Sequence, residues 1–464
     1  MPDTNKLNQA LALSTEYGQQ HLFRFFDELT DVEQDALLTQ ILSIDFEALA
    51  SLFKNLVLDK TEVKVEDNFE PMMARDWESF GIGERAAMSN QGMRALRDGK
   101  VAAFLVAGGQ GTRLGHEGPK GIFDIGLPSR KSLFQLQAER LICLSRQSRK
   151  TIPWYIMTSE ENHEDTVGFF RERHFFGYPE RDIFFFKQGE MPIVDEQGRI
   201  LLASKGCLSM GPNGNGGCFL ALSKSGALAD MKRRGVEYVF FYSVDNALVR
   251  VCDPHFVGFA ISTGMPAASK AVVKTSPKEK VGVLCLRNGR PSVLEYSEMT
   301  DEMLHRAGPK GGLAFASANI AIHLFTLNFL EKHVGSALPF HLAHKKIAGL
   351  DEKGNGINPT VPNAYKFELF MFDLFPLAEG MAALQIIREE EFAPVKNKDG
   401  EDSPGSAREL VLGLHHKWAL SAGLSEEDLK NKVVEISPLI SYAGEDLNSA
   451  LVRSQLGNPI IHVS

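Results

Sequence analysis

The chain has 464 residues, 44% of them hydrophobic and 23% charged. That apolar share is close to the roughly 45–50% of ordinary globular proteins and excludes wholesale disorder. Fifty Lys and Arg against 59 Asp and Glu give a formal charge of −9, so there is no global positive field for non-specific binding to nucleic acid or a membrane surface. The five cysteines (Cys143, Cys207, Cys218, Cys252 and Cys285) are scattered and form no C-x-x-C pair. They read as reduced thiols, not as a disulfide framework or a cysteine zinc site. No apolar run approaches the roughly 18 residues that span a bilayer, and Met1-Pro-Asp-Thr-Asn-Lys leads into polar sequence with no signal-peptide core. The expectation is a cytoplasmic protein with neither membrane nor nucleic acid as partner.

At about 150 residues per domain the length suggests roughly three domains. Residues 1–97 read as a helical lobe. Leu22, Phe25, Phe26 and Leu29 fall at helical spacing, and Leu37, Leu38, Ile41 and Leu42 continue the pattern after a polar break. The pattern lapses over residues 67–77, and a further helix follows near 82–96. Residues 98–385 change character: short apolar runs at 101–107, 152–157, 183–186 and 238–242 alternate with helical segments at 132–145 and 162–173. Such alternation predicts βαβ units and an α/β fold with a central doubly wound sheet, mixed but mostly parallel. Ligands of such sheets sit at the carboxyl ends of the strands. Residues 386–464 read as a small C-terminal α+β domain, with a polar loop at 396–405, a helix near 407–420 and short strands at 433–436 and 459–463.

The strongest chemical feature is Leu105-Val-Ala-Gly-Gly-Gln-Gly-Thr-Arg-Leu-Gly115, followed by Pro119-Lys120-Gly121. A strand delivers Gly108, Gly109 and Gly111 into a turn, where glycine permits positive φ and close approach of a ligand. Backbone N–H groups there face an anion without a Cβ in the way, and Arg113 and Lys120 add full charge. A Rossmann fingerprint is not met, because Gly115 falls one residue late, and no P-loop string is present. A nicotinamide-dependent oxidoreductase is therefore disfavoured. The run ending in Ser243-Val-Asp245-Asn246 puts a carboxylate at a strand end. One carboxylate with phosphate oxygens and water is the usual holder of Mg²⁺, while the same Asp could cap a following helix. The residues alone leave both roles open.

Other clusters carry less. Met210-Gly-Pro-Asn-Gly-Asn-Gly-Gly217 is by itself a loop signal. His341 and His344 have H-x-x-H spacing without an acidic third ligand, and His415-His416 lies in an amphipathic helix. Both pairs read as structural, and the 31 Phe residues as core.

G-x-G-T-R-L with a downstream P-K resembles the signature of sugar-1-phosphate nucleotidylyltransferases. The longer glycine string, with Gly126-Leu-Pro-Ser-Arg-Lys131 and Leu133-Phe-Gln-Leu-Gln-Ala-Glu-Arg140, resembles the eukaryotic-type UDP-N-acetylhexosamine pyrophosphorylases. The resemblance runs from about residue 95 onward. It includes Lys187-Gln-Gly189, Gly214-Asn-Gly-Gly217, Leu294-Glu-Tyr-Ser-Glu298, Ala318-Asn-Ile320, Pro394-Val-Lys396-Asn and Ile436-Ser-Pro-Leu-Ile-Ser-Tyr-Ala-Gly-Glu445.

The resemblance implies a Rossmann-like, GT-A-like nucleotidyltransferase. It would be a uridylyltransferase that makes UDP-N-acetylglucosamine and pyrophosphate from UTP and N-acetylglucosamine 1-phosphate with Mg²⁺ or Mn²⁺. Arg113, Lys120 and Lys396 are the implied catalytic cations, and Asp245 the implied metal ligand. Ala107, Gly108, Gly109, Gly111 and Thr112 would hold the nucleotide's phosphates. Gln188, whose amide both donates and accepts, would read uridine, with Gly214, Asn215 and Gly216 facing the base. Gly282, Glu295 and Asn319 would hold the sugar. Alternatives are a UTP–glucose-1-phosphate uridylyltransferase, a broad UDP-sugar pyrophosphorylase, or an inactive sugar-nucleotide sensor that keeps the fold.

Overall fold

The computed structural model describes residues 3–59, 67–309 and 311–463. The chain forms two units, each assembled from separated segments. The smaller comprises Met1–Asp67, Gln188–Cys218 and Ala337–Asp373, and the larger Asn68–Lys187, Phe219–Ser336 and Leu374–Ser464. This differs from a three-part division at 97 and 385, since both positions lie inside the larger unit. Composition and periodicity mark changes in local structure, whereas units are set by which distant segments share a core.

The larger unit is built on an eleven-stranded sheet. Its strands are β1 (Phe69–Pro71), β2 (Arg75–Asp76), β3 (Val101–Val106), β4 (Trp154–Thr158), β5 (Ile183–Lys187), β6 (Tyr238–Ser243), β7 (Ala267–Val273), β8 (Val283–Arg287), β9 (Arg290–Leu294), β10 (Ser317–Thr326) and β11 (Met381–Gln385). The main path runs β2-β11-β7-β10-β6-β3-β4-β5, while β8 joins β1, β9 and β10. Along that path only β10 is antiparallel to its neighbours, so the sheet is mixed and mostly parallel, as expected. Strands β3 and β4 are buried almost throughout, which is why they read as unbroken apolar runs. The strands β1 and β2 lie where the N-terminal lobe was expected to be helical or irregular. Strands of two or three residues on an edge carry no usable period. The expected helices form as Ile82–Arg97, Leu133–Ser148, His163–Glu172 and Pro404–Ser421. Ile82–Arg97 meets the helix Pro254–Thr263 backbone to backbone, for a Cβ on Gly92 would lie 1.9 Å from the Pro254 carbonyl oxygen. In the C-terminal part Val433–Ile436 and Ile460–Val463 pair in parallel.

The smaller unit has one apolar cluster that joins Leu22, Phe25, Leu37, Ile41, Phe46 and Phe53 to Val194, Ile200, Leu208 and Phe367. The segment around Leu22–Leu29 forms two 3-10 turns, Gln20–Phe23 and Phe26–Glu28, in place of one helix. The same side chains still reach the core. Among the described residues no single helix is long and apolar enough to cross a membrane; only the bent pair Asp31–Leu42 with Phe46–Leu58 passes that test jointly.

Candidate active site

The glycine turn leaves the carboxyl end of β3 and folds back on itself. Gly111 N–H donates to Gly118 O (2.9 Å) and Lys120 N–H to Gly109 O (3.1 Å). Among the described residues nothing accepts from the amides of Gly108, Gly109 and Gln110, and the position of a Cβ on Gly109 is open space. Free amides beside open space are what an anion needs. The expected left-handed backbone is not at Gly108, Gly109 or Gly111; it falls at Gly115 (φ 73°) and Gly118 (φ 111°). Gly111 is instead required for space, since a Cβ there would lie 2.8 Å from the His116 ring.

What turns the amides outward is Asn162, fully buried. Its side-chain N–H groups donate to the carbonyls of Ala107 (3.0 Å) and Gly109 (3.4 Å), and its Oδ1 accepts from Ser159 N–H (2.9 Å). Sequence reasoning passed over this residue. Its signal is the Ser159-Glu-Glu-Asn162 turn that follows β4.

Arg113 is exposed and Lys120 half-buried, and among the described residues neither side chain has a hydrogen-bond or ion-pair partner. The Asp245 carboxylate is likewise unpartnered among the described residues. It caps no helix, because the following helix Pro254–Thr263 is capped by Asp253. A half-buried carboxylate with no competing cation suits a hard divalent ion whose other ligands are phosphate and water. Among the described residues no group of three His, Cys, Asp or Glu is placed to cage a metal alone.

Asn246 draws the Asp245 turn and the Lys396 arm together. Its side chain donates to Glu391 O (2.7 Å) and accepts from Ala393 N–H (2.9 Å). The backbone adds Ala247 N–H to Ala393 O (3.0 Å) and Val395 N–H to Asp245 O (2.9 Å). Leu114, Ala247, Leu248, Ala393 and Val395 then share one buried cluster with Leu127 and Leu133. The first five of these lie one to three residues from Arg113, Asp245 or Lys396, so burying them gathers the three polar segments. Lys396 itself sits 3.4 Å from Asp402 and over the Phe392 ring.

Beneath this arm is a buried ionic group. Lys270, fully buried on β7, pairs with Asp253 (2.7 Å) and with Glu391, while Arg250 pairs with Glu390 (2.8 Å) and Glu391 (3.8 Å). Burial alone would push the Asp253 carboxyl up; Lys270, with His255 and Arg250, outweighs it and holds the carboxyl down at about 2.

The three sugar candidates also come together. A Cβ on Gly282 would lie 2.8 Å from Glu295 Oε1, and Asn319 N–H donates to Gly282 O (2.8 Å). Opposite β7 the strand β10 bulges, with Ala321 at φ 54°. There Asn319 Oδ1 accepts from Ala321 N–H (3.0 Å), which leaves the Asn319 side-chain N–H groups as the free donors. Because β10 runs antiparallel to β6 with His323 opposite Phe241, its residues before His323 lie towards the carboxyl end of β6.

In the smaller unit, Gly214 and Gly216 press on the 369–370 backbone, a Cβ on Gly214 falling 2.3 Å from the Leu369 carbonyl oxygen. Asn215 Oδ1 accepts from Met371 N–H (2.9 Å), and Asn213 N–H donates to Gly189 O (3.1 Å), next to Gln188. Gln188 and the Gly214–Gly216 turn are thus adjacent. His341 and His344, on the strand Phe340–Lys345, pair with Asp373 (2.8 Å) and Glu196 (3.6 Å). His415 is buried and accepts from Ile436 N–H (3.2 Å), and burial pushes its imidazole down to about 3.

Residues 46–449 match the family model described as UTP–glucose-1-phosphate uridylyltransferase. The chain is 39% identical to the UDP-N-acetylhexosamine pyrophosphorylase-like protein 1 of Xenopus tropicalis, over 94% of this chain and 92% of that protein. It is also 39% identical to UDP-N-acetylglucosamine diphosphorylase 2 of Arabidopsis thaliana, over 97% and 93%. The crystal structure of the uridine diphosphate N-acetylglucosamine pyrophosphorylase from Trypanosoma brucei superposes with a TM-score of 0.85 at 28% identity, covering 100% of this chain and 99% of that one. With the glycine turn, the strand-end carboxylate and the lysine arm all present, the chain belongs to the UTP–glucose-1-phosphate uridylyltransferase family and is a uridylyltransferase of its UDP-N-acetylhexosamine pyrophosphorylase branch.

Proposed function

We propose that the enzyme forms UDP-N-acetylglucosamine and pyrophosphate from UTP and N-acetylglucosamine 1-phosphate in the cytoplasm. What carries the choice of sugar is the similarity, over more than nine-tenths of the chain, to relatives named for N-acetylhexosamine or N-acetylglucosamine. The Asn319 oxygen accepts from Ala321 N–H, and its side-chain N–H groups are donors that suit an acetamido carbonyl or a hydroxyl. Glu295, beside Gly282, offers acceptors for sugar hydroxyls. The Trypanosoma brucei enzyme, named for N-acetylglucosamine, supports the same reading.

In this reading a phosphate oxygen of the sugar phosphate attacks the α-phosphorus of UTP in line, and pyrophosphate leaves from the opposite side. The nucleophile is already an anion, so no general base is needed. The work is to bring two multiply charged esters together and to neutralise charge in the five-coordinate state. The amides of Gly108 and Gly109, with Ala107, Gly111 and Thr112 around them, hold the triphosphate. Arg113 and Lys120 neutralise the departing pyrophosphate, and Lys396 releases Asp402 to take the incoming sugar phosphate. Asp245 would hold Mg²⁺ or Mn²⁺, which when bound supplies further positive charge to phosphate oxygens. Gln188 and Asn215 carry the donors and acceptors for the uracil edge.

Pyrophosphate release from UTP with N-acetylglucosamine, N-acetylgalactosamine and glucose 1-phosphates tests this directly. The expected result is the highest kcat/KM with N-acetylglucosamine 1-phosphate. Preference for glucose 1-phosphate would shift the reading to the glucose enzyme, and no release with any sugar would make the protein a sensor.

Asn162→Ala probes the turn. It leaves two loop carbonyls without their donor, and KM for UTP is expected to rise by about tenfold, the equivalent of about 1.4 kcal/mol. An unchanged KM would mean that the turn keeps its shape without that amide.

A further inference from the structure

The loop that follows Lys396 closes on itself: Lys396 N–H (2.6 Å) and Asn397 N–H (3.0 Å) both donate to Asp402 O, and the Asn397 side chain donates to Glu401 O (2.9 Å). This closure throws Lys398 across the glycine turn. A Cβ on Gly115 would lie 3.8 Å from Lys398 Cε and 4.0 Å from its Nζ, so the lysine stem rests against the turn at Gly115. Acidic residues are close in sequence, namely Asp399, Glu401 and Asp402. Asp402 is taken by Lys396, and among the described residues no carboxylate lies within ion-pair distance of Lys398. Gly115 closes the short turn Thr112–Leu114 that carries Arg113. Lys398 therefore stands at the Arg113 end of the loop, beyond the free amides of Gly108 and Gly109.

We infer that Lys398 is a further binding cation for the pyrophosphate end of the nucleotide, contributed by the same arm that presents Lys396. This rests on the reading of the turn as a triphosphate cradle. The two lysines serve different anions. Lys396, bonded through its neighbour Val395 to the Asp245 turn, meets the incoming sugar phosphate, and Lys398 the departing group. A flexible ammonium reaching in from the arm neutralises charge when pyrophosphate is bound, and it can withdraw to let the product go.

The test is pyrophosphorolysis, in which UDP-N-acetylglucosamine and pyrophosphate yield UTP, with KM measured for each substrate in the wild type, K398A and K398R. Expected is a roughly tenfold rise in KM for pyrophosphate in K398A, the size of one charge-assisted phosphate contact. KM for UDP-N-acetylglucosamine should stay unchanged, K398R should recover most of the loss, and the difference should shrink at high salt. An unchanged pyrophosphate KM in K398A, or a rise confined to the sugar phosphate in the forward direction, would overturn the inference. Absence of pyrophosphorolysis in the wild type would instead remove the reading of the enzyme on which it rests.

Discussion

Arg113→Ala is expected to lower kcat by a hundredfold or more while the protein melts at nearly its original temperature. Removing one preorganised charge from a phosphoryl transition state costs about 3–4 kcal/mol. Stability should change by no more than about 0.5 kcal/mol, as for most surface substitutions. The two effects separate because the side chain is exposed and unpartnered among the described residues. Its backbone, meanwhile, is fixed by Leu114, 5% exposed in the cluster shared with Ala247 and Val395. Arg113→Lys should fall between, since an ammonium keeps the charge and loses the planar fork. Steady-state turnover beside calorimetry decides the matter. Near-wild-type kcat in Arg113→Ala would strip that residue of its role, and a large drop in melting temperature would make it structural.

Lys270→Ala is expected to act first on stability, with a loss of about 3–5 kcal/mol in unfolding free energy, because it leaves Asp253 and Glu391 buried without their cation. Turnover should fall as well, since the Glu391 carbonyl is the acceptor through which Asn246 grips the Lys396 arm. Acid titration gives an independent reading. In the folded protein the Asp253 carboxyl is held down at about 2, below the roughly 3.9 of an unfolded chain. Its contribution is complete above about pH 4 and fades as the pH falls towards 2. Without Lys270 the folded pKa rises and that contribution shrinks, so acid unfolding should begin at a higher pH. A urea midpoint and an acid midpoint both unmoved by Lys270→Ala would show that the buried group is energetically idle.

Much of the candidate site was legible because it is local. A strand running into glycines, a basic pair just after them and a strand-end Asp can be read from consecutive residues, and the fold buries close neighbours of Arg113, Asp245 and Lys396 in one apolar cluster. What escaped notice depends on partners far away in sequence. Asn162 acts on carbonyls more than fifty residues earlier, Asn246 on an arm about 147 residues later, and Lys398 shows its place only against Gly115. Nor do the five glycines between positions 108 and 118 say which of them needs unusual backbone. Gly115 and Gly118 do, and Gly111 is small because the His116 ring occupies the space. Strand β10 was missed because its bulge at Ala321 interrupts the alternation that marks a strand. The helical lobe expected over residues 1–97 has different bounds for the same reason: the apolar faces of residues 3–59 are covered by segments 188–218 and 337–373.

That interleaving has a consequence for how the polypeptide is made. The cluster that holds Leu37, Ile41 and Phe46 is complete only once Phe367, more than three hundred residues later, has been synthesised. Until then part of the apolar surface of the N-terminal helices lacks its covering, the kind of transiently exposed surface that favours aggregation during folding. Clipping these helices off would not liberate a stable remainder, for it would strip the covering from Val194, Ile200 and Leu208.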